Sequence, residues 1–290
     1  MRFAAFSSGE EDGLAVAGRE GHFHALLSRD AGYPGSLDVL IQKGSDALNA
    51  AAAALAKSPI IDLDQVTLQL PLPAPGKIIC VGLNYVDHSI ESGFTPPDYP
   101  TIFTRFASSL VAAGAPIVRP LVSAQLDYEG ELAAVIGTGG RHIAEADALE
   151  HVIGYSIFND ASVRDYQKKS PQWTIGKNFD QTGAFGPYLI TTDELPPGGK
   201  GLRIQTRLNG IVVQDASTDD MVFSVARLIS ILSEAITLSP GDIIVSGTPG
   251  GVGMARKPPL FMKQGDVCEV EIEGIGLLRN RVEDESTPAA

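Results

Sequence analysis

The sequence predicts a β-rich fold of the α+β class. Most apolar segments after residue 76 are short, and several alternate apolar with polar residues, which is typical of strands. Two such segments flank Asn209-Gly210, the strongest short signal for a β-hairpin in the chain. Residues 223–238 instead have apolar residues at helical spacing and precede a Ser-Pro-Gly stop. Strands therefore outnumber helices, and no repeat or heptad indicates another class.

A small α/β unit precedes this strand-rich region. Its predicted elements are strands over residues 2–7, 14–16 and 22–27 and an alanine-rich helix over residues 46–57. Residues 70–76 contain three prolines and a glycine, which favour an extended connection. We therefore predict a small N-terminal domain, residues 1–72, and a catalytic domain, residues 73–290.

The elements of the larger region follow the same two patterns. The predicted strands cover residues 77–81, 101–106, 128–136, 152–160, 202–208, 211–214, 242–245 and 267–272. The predicted helices cover residues 145–152, 162–169 and 223–238. A last strand is expected after the turn Gly274-Ile275-Gly276.

Charge and composition exclude several classes of protein. The 290 residues have a net charge of −13 and a pI near 4.8, which argues against a nucleic-acid partner. No apolar stretch approaches the roughly 20 residues of a membrane span, and the N-terminus lacks the apolar core of a signal peptide. We therefore expect no membrane partner and a cytoplasmic location. Cys80 and Cys268 are expected to be buried thiols.

Two glutamates, Glu129 and Glu131, lie two residues apart in an apolar segment. If the segment is a strand, alternation places both carboxylates on the face shared with Ala133 and Val135. Two like charges on a buried strand are tolerable when a cation lies between them or when one carboxyl group stays protonated. The pair therefore predicts half of a metal site. The alternative is an edge strand whose polar face meets water.

A third acid, Asp160, ends the apolar strand of residues 152–160. By itself it is typical of a helix N-cap, because a predicted helix follows. Combined with Glu129 and Glu131, it completes three carboxylates without nearby His or Cys. Such oxygen donors suit Mg²⁺, with Mn²⁺ or Ca²⁺ as alternatives, and leave coordination positions for a substrate.

Several other residues could bind anions near these acids. Arg164 and Gln167 are three residues apart and share one helical face, and Lys177 follows in the next segment. These side chains could bind a substrate carboxylate or a developing oxyanion. The alternative for each cation is a solvated surface charge.

His88 and Glu91 are spaced three residues apart after a predicted strand. On a helical turn they can form a hydrogen bond, and a carboxylate that holds an imidazole makes a general base able to activate water. The alternative is a pair of surface neighbours. Further along the chain, the glycine-rich residues 246–253 follow a strand and could present N–H groups and the Thr248 hydroxyl to an anion. A plain tight turn is the alternative there.

Taken together, these motifs resemble the fumarylacetoacetate hydrolase family over about residues 77–283. The segments that match, in order, are 81–88 (VGLNYVDH), 127–132 (DYEGEL), 159–167 (NDASVRDYQ), 176–177 (GK) and 246–253 (SGTPGGVG). The resemblance implies a mixed β-sandwich roll and a homodimer. It further implies a divalent metal on Glu129, Glu131 and Asp160.

The resemblance also implies roles for the remaining residues. His88 with Glu91 would activate water, Lys177 would be an electrostatic partner, and the substrate would lie near Arg164, Gln167 and Thr248. Where family members often have Lys-Pro, this chain has Arg105-Phe106. Arg105 is expected to meet a substrate carboxylate.

The function expected from these residues is metal-dependent hydrolysis of a carbon–carbon bond in a small β-diketo acid of the acylpyruvate or fumarylacetoacetate type. The alternative is a decarboxylase or isomerase of a related 2-oxo or 2-hydroxymuconate-type acid, such as oxaloacetate, in aromatic catabolism. A third hypothesis is a non-catalytic protein with a structural metal. Substrate choice is expected to depend on loops at residues 94–99 and 179–185.

Overall fold

The computed structural model describes residues 1–18, 21–91, 93 and 98–286, and its strands exceed its helices in number, as expected for a β-rich α+β fold. Residues 94–97, part of one loop expected to line the pocket, lie outside the described residues. In the described part of the chain, no helix is long and apolar enough to cross a membrane.

The elements are numbered in chain order. The strands are β1 (Arg2–Ser8), β2 (Glu11–Ala17), β3 (Phe23–Leu27), β4 (Ile60–Ile61), β5 (Thr67–Leu68), β6 (Ile78–Gly82), β7 (Thr101–Arg105), β8 (Leu110–Ala112), β9 (Ile117–Arg119), β10 (Leu126–Asp127), β11 (Gly130–Ile136), β12 (Val152–Asp160), β13 (Ser162–Val163), β14 (Gly183–Thr191), β15 (Arg203–Leu208), β16 (Ile211–Ser217), β17 (Ile243–Val245), β18 (Val267–Ile272) and β19 (Gly276–Asp284). The helices are α1 (Leu37–Gln42), α2 (Ser45–Leu55), α3 (Val86–Glu91), α4 (Arg164–Gln167), α5 (Thr174–Lys177) and α6 (Val225–Ala235).

Two sheets form most of the molecule. The larger has the order β4-β3-β2-β1-β14-β12-β11-β17-β6-β7, with β5 added beside β1 and β8 beside β14. The smaller has the order β16-β15-β18-β19-β9, and β10 pairs with β13. Both sheets are mixed, because β17 runs parallel to β6 and β9 runs parallel to β19 among antiparallel neighbours. A large apolar cluster contains side chains from both sheets.

Strand β11 lies at the centre of the larger sheet, between β12 and β17, and all seven of its residues are buried. Its side chains alternate between two cores. Leu132 and Ala134 belong to the core shared with the smaller sheet, whereas Ala133 and Val135 belong to the core that also contains α1 and α2 side chains. The edge-strand alternative for this segment is therefore wrong. The strand begins at Gly130, so Glu129 lies just before it.

The predicted hairpin is confirmed, because β15 and β16 pair around Asn209 and Gly210, which both have positive φ. The helix expected over residues 162–169 is shorter, since Val163 is extended and pairs with Leu126 before α4 begins. Pairing across the sheet thus overrides the local helical pattern. The helix expected over residues 145–152 is a 3₁₀ helix, Glu145–His151.

The N-terminal strands were predicted correctly, and α2 is the expected alanine-rich helix. Helix α1 was missed, because its six residues are too few for a clear helical period. Strand β1 pairs with β14, so the first strands extend the same sheet that holds β11 and β12. The domain boundary at residue 72 stays a prediction.

Gly130 lets the two sheets approach each other beside the acidic segment. A Cβ at this position would lie 2.3 Å from Thr206 Oγ1 and 2.9 Å from Val270 Cγ1. We expect Gly130→Ala to lower the free energy of unfolding by about 1–3 kcal/mol through overpacking. Urea unfolding in EDTA measures this change.

A second substitution provides the control. The Thr206 hydroxyl has no hydrogen-bond partner among the described residues, so Thr206→Ala by itself should change stability little. In the double variant, loss of this hydroxyl should restore part of the stability that Gly130→Ala loses. Equal losses in the single and double variants would contradict the proposed clash.

Candidate metal centre and active site

Three buried carboxylates meet where β11 begins and β12 ends. Glu129, Glu131 and Asp160 are 4%, 1% and 0% exposed, and one oxygen of each lies within 4.8 Å of the others. They converge because β11 and β12 are antiparallel and Glu131 pairs with Phe158, two residues before Asp160. The three acids predicted from separate segments therefore form one cluster.

Lys177, at the end of α5, binds two of these acids. Its buried Nζ donates to Glu129 Oε2 and to Asp160 Oδ2, both at 2.6 Å. Burial lowers the pKa of Lys177, but the charges of Asp160 and Glu129 outweigh this effect and raise the pKa overall. The ammonium group therefore stays charged, which agrees with the predicted electrostatic role.

Arg164 begins α4 and orients Glu129. Its Nη2 lies 2.6 Å from Glu129 Oε1, its Nε donates to Asp127 Oδ2 at 2.8 Å, and its Nη1 donates to Gln167 Oε1 at 2.9 Å. Two guanidinium nitrogens thus donate hydrogen bonds, and Nη2 contributes an ion pair with Glu129. Arg164 and Gln167 also line the cavity described below, as their predicted place near a substrate requires.

Arg105 lies behind Asp160. Its guanidinium binds Asp160 Oδ1 through Nη1, Thr182 Oγ1 at 2.7 Å through Nη2, and Ser109 Oγ at 3.2 Å through Nε. The side chain is fully buried and does not line the cavity. The expected contact with a substrate carboxylate stays a prediction, whereas the bonds present orient a metal-ligand candidate.

The protein's own cations do not balance the three acids equally. Burial opposes ionisation of Glu129, but Arg164 and Lys177 lower its pKa to about 2. The pKa of Glu131 is instead raised well above its usual value by burial, by Asp160 and by Glu129. A cation beside Glu131 would offset this cost. Three carboxylate oxygen donors suit a hard divalent cation, so the cluster fits the metal expected from the sequence.

His88 and Glu91 lie on α3 and form the predicted pair, with 3.0 Å between His88 Nδ1 and Glu91 Oε1. Glu91 Oε2 also accepts a hydrogen bond from the Gly251 N–H at 2.8 Å. Burial opposes the charge on Glu91, but the bonds from His88 and Gly251 lower its pKa overall. The carboxylate is thus held in its charged form and orients the imidazole, leaving Nε2 for a reactant.

The glycine-rich loop after β17 donates backbone N–H groups to carboxylates of the protein itself. The bonds join Gly247 N to Glu131 Oε2 at 2.5 Å, Gly251 N to Glu91 Oε2 at 2.8 Å, and Gly253 N to Asp127 Oδ1 at 2.7 Å. The loop therefore connects the acidic cluster, the His88–Glu91 pair and the acid that holds Arg164. Its predicted contact with an anionic ligand stays a prediction.

Thr248 lies in the same loop. Its hydroxyl donates to the Gly130 carbonyl at 2.9 Å and accepts from Gln214 Nε2 at 2.8 Å. Its side chain lines the cavity, so the predicted place near a substrate is compatible with the structure.

One cavity of about 290 Å³ is lined by most of the predicted groups, although Asp160, Glu91 and Arg105 do not line it. Its polar wall includes His88, Glu129, Glu131, Arg164, Gln167, Lys177 and Thr248. Its apolar wall includes Leu83, Phe103, Trp173 and Met254. The volume is near the lower limit of roughly 300 Å³ for ligand sites, so the cavity favours a small substrate.

Three supporting residues were missed by sequence reasoning. Asp127 accepts from Arg164 and from two loop N–H groups, Asn159 Oδ1 accepts from the Glu129 N–H at 3.0 Å, and Gln214 binds Thr248. Asp127 and Asn159 stand inside the matching segments, but nothing in their spacing indicates these partners. Gln214 comes from the smaller sheet, far away in the sequence.

The chain belongs to the fumarylacetoacetate hydrolase family. The family model described as "Fumarylacetoacetate (FAA) hydrolase C-terminal" matches residues 77–283. The structure of a fumarylacetoacetate hydrolase from Exiguobacterium antarcticum is 38% identical, with a TM-score of 0.86, and the match covers 98% of this chain and 100% of that one. The fold class and the family resemblance are thus confirmed.

Other members of the family are similar to this chain over most of its length. The mitochondrial oxaloacetate tautomerase of Xenopus laevis is 41% identical, over 97% of this chain and 90% of the relative. One mitochondrial oxaloacetate tautomerase of Homo sapiens is 42% identical, over 89% of this chain and 82% of the relative. A maleylpyruvate hydrolase from Sphingobium sp. SYK-6, solved with manganese(II) and pyruvate, is 28% identical with a TM-score of 0.81, over 99% and 100%.

The expected cytoplasmic location is wrong, because both tautomerases are mitochondrial by name and point away from it. That expectation used the absence of an apolar signal core and of membrane spans. Neither criterion distinguishes the cytoplasm from mitochondria, since mitochondrial transit peptides are amphipathic rather than continuously apolar.

Loss of a residue that only hydrogen-bonds a metal ligand lowers metal affinity by roughly 10- to 100-fold. Glu131→Gln removes a proposed ligand itself, so it should weaken Mn²⁺ binding by more than this. The same change should leave the metal-free protein equally or more stable, because burial and neighbouring carboxylates oppose the charge on Glu131. Calorimetric titration with MnCl₂ and urea unfolding in EDTA measure the two effects. Glu283→Gln, at an exposed position, is the matched control. Unchanged Mn²⁺ affinity would rule out Glu131 as a ligand.

Proposed function

We propose that this protein is a metal-dependent tautomerase of small 2-oxo acids, with oxaloacetate as the substrate to test first. The observation that supports this most is a cluster of three buried carboxylates, two of which line one small cavity together with the imidazole of the His88–Glu91 pair. Interconversion of keto and enol forms needs a polarised oxo group and a base nearby, and it needs no attacking water. The names of the two tautomerases favour this reaction over the hydrolysis expected first.

Glu129, Glu131 and Asp160 would hold Mg²⁺ or Mn²⁺. When bound, the metal would withdraw electron density from the 2-oxo group, which makes the neighbouring C–H bond more acidic. Lys177 and Arg164 would keep Glu129 charged and oriented for this task.

His88 would transfer the proton. Glu91 binds Nδ1, so Nε2 is the nitrogen able to accept a proton from the substrate carbon and return it to the substrate oxygen. The Gly251 N–H holds Glu91 in place, and this restricts the imidazole to one orientation. The Lys177 ammonium, 2.6 Å from two of the acids, would stabilise negative charge that develops on the substrate.

The cavity walls would orient the substrate and limit its contact with water. Arg164, Gln167 and Thr248 form the polar wall that we propose as the substrate-binding surface. Trp173 closes the opposite side, where it packs so tightly on Gly82 that a Cβ there would lie 2.3 Å from its ring.

Hydrolysis of an acylpyruvate is the second candidate. The His88–Glu91 pair could activate water, and the Sphingobium structure of a hydrolase contains manganese(II) and pyruvate. Decarboxylation of oxaloacetate would use the same polarised oxo group without water. A homodimer and a role in aromatic catabolism stay predictions from the family resemblance.

His88→Ala should lower catalysed loss of the oxaloacetate enol, followed by its ultraviolet absorbance, by about 100- to 10,000-fold, since it removes the general base. Glu91→Gln should lower the rate less, because the imidazole remains. His22→Ala, at an exposed position outside the cavity, is the control and should leave the rate unchanged. A His88→Ala rate within twofold of wild type would exclude His88 as the base.

Removal of the metal tests whether the reaction depends on it, and a substrate panel then separates the candidate reactions. Extensive EDTA treatment should reduce tautomerisation to the buffer rate, and Mg²⁺ or Mn²⁺ should restore it. A panel of oxaloacetate and acylpyruvates, scored for enol loss, release of CO₂ and release of pyruvate, then identifies the reaction. Fast pyruvate release from acylpyruvates without enol–keto exchange of oxaloacetate would favour the hydrolase instead.

A further inference from the structure

Lys168 differs from the other cations that line the cavity. It directly follows α4, its side chain is exposed, and it is part of the same wall as Arg164 and Gln167. The Arg164 and Lys177 side chains are bound to buried carboxylates. Among the described residues, the Lys168 ammonium makes no ion pair or hydrogen bond. It is therefore a cation of this cavity that is available to a ligand.

The charges around the cavity indicate how many negative charges that ligand carries. The buried acids Glu129, Glu131, Asp160 and Asp127 face the buried cations Lys177, Arg164 and Arg105, so these seven buried groups, when all are ionised, sum to one negative charge. Glu91, at an exposed position beside His88, is outside this sum. A divalent cation on the acidic cluster would leave one positive charge, which a single substrate carboxylate balances. A second carboxylate would need its own countercharge, and Lys168 can supply it.

Gln167 also supports binding of a second carboxylate beside Lys168. Its Oε1 accepts from Arg164 Nη1 at 2.9 Å, so this bond orients the amide and leaves the NH₂ group as its donor side. Gln167 is next to Lys168 in the chain, and both line the cavity. A carboxylate between them could accept from an amide and an ammonium.

We propose that Lys168 is a specificity-determining residue that binds the distal carboxylate of a 2-oxo diacid, while the 2-oxo acid end faces Glu129 and Glu131. This inference rests on the proposed function and narrows its substrate to a short diacid. The cavity volume of about 290 Å³ agrees with a short substrate.

Lys169 provides a matched control. It is the next residue and is also exposed, but its Nζ lies 3.2 Å from the centroid of the Tyr166 ring, and it does not line the cavity. If positive charge attracts anions only in a general way, substitution of either lysine should weaken binding equally. If Lys168 contacts the ligand, only its substitution should weaken binding.

The test compares two ligands that differ only in the distal carboxylate, oxaloacetate and pyruvate. Their Kd values for the Mn²⁺-loaded protein are measured from water-proton relaxation in freshly mixed samples, which reports binding without requiring turnover. Lys168→Met should weaken oxaloacetate binding by roughly 10-fold or more, as expected for loss of a charged hydrogen bond, and change pyruvate binding less than about twofold. Lys168→Arg should retain most of the preference, and Lys169→Met should change neither Kd.

Equal weakening of both ligands by Lys168→Met, or no change in either, would overturn the proposal. Because Lys168 is exposed, the variant should fold as wild type does, which thermal unfolding checks. Loss of the preference in a protein without tautomerase activity would leave this inference standing and remove the proposed function. If Lys168→Met keeps full tautomerase activity and an unchanged Kd for oxaloacetate, the proposed function stands and the proposed role of Lys168 is excluded.

Discussion

The rest of the site depends on the burial of several carboxylates away from the protein surface. Glu129, Glu131 and Asp160 lie within a few ångströms of one another at the meeting point of two central strands. Charge in such a place must be balanced locally. Lys177 and Arg164 meet this requirement at Glu129, and its pKa falls to about 2, whereas the pKa of Glu131 is raised. This imbalance makes the cluster a suitable place for a divalent cation.

The glycine-rich loop also stabilises buried carboxylates, but it does so with backbone N–H groups rather than with charged side chains. Gly247 and Gly251 have φ values of 101° and 103°, and a Cβ on Gly251 would lie 2.2 Å from the Val213 carbonyl oxygen. Only glycine combines this conformation with so close an approach. Because one loop binds Glu131 and also Glu91, the acidic cluster and the His88–Glu91 pair are placed by a common segment. Their relative positions are therefore not independent.

A site of this kind does not by itself select one reaction. With its 2-oxo group polarised next to a base, a 2-oxo acid can exchange keto and enol forms, and one with a β-carboxylate can lose CO₂. In a β-diketo acid, water can instead attack the distal carbonyl, and the C–C bond breaks as the 2-oxo enolate leaves. What separates these outcomes is the position of the substrate relative to His88 and the presence of a water molecule near it. Under the proposed function, the names of the two tautomerases favour exchange, and the Lys168 ammonium, which has no ion pair or hydrogen bond among the described residues, favours a substrate with two carboxylates. The donor set restricts the chemistry to reactions of a polarised 2-oxo acid, while the cavity wall would define the substrate.

Local pattern in the sequence predicted the β-rich class and the hairpin at Asn209-Gly210. For the three acids, His88, Glu91 and Lys177, the residues alone left alternatives open, and the ordered motifs shared with the family favoured the interpretation as a site. Tertiary structure decided which groups pair. The shorter α4 results from pairing of Val163 with Leu126, and the place of Arg105 behind Asp160 results from packing. Asp127 and Gln214 became visible as supports only there, because hydrogen bonds between segments far apart in sequence leave no periodic signal. Charge balance is a property of the folded cluster, so no single segment could reveal it.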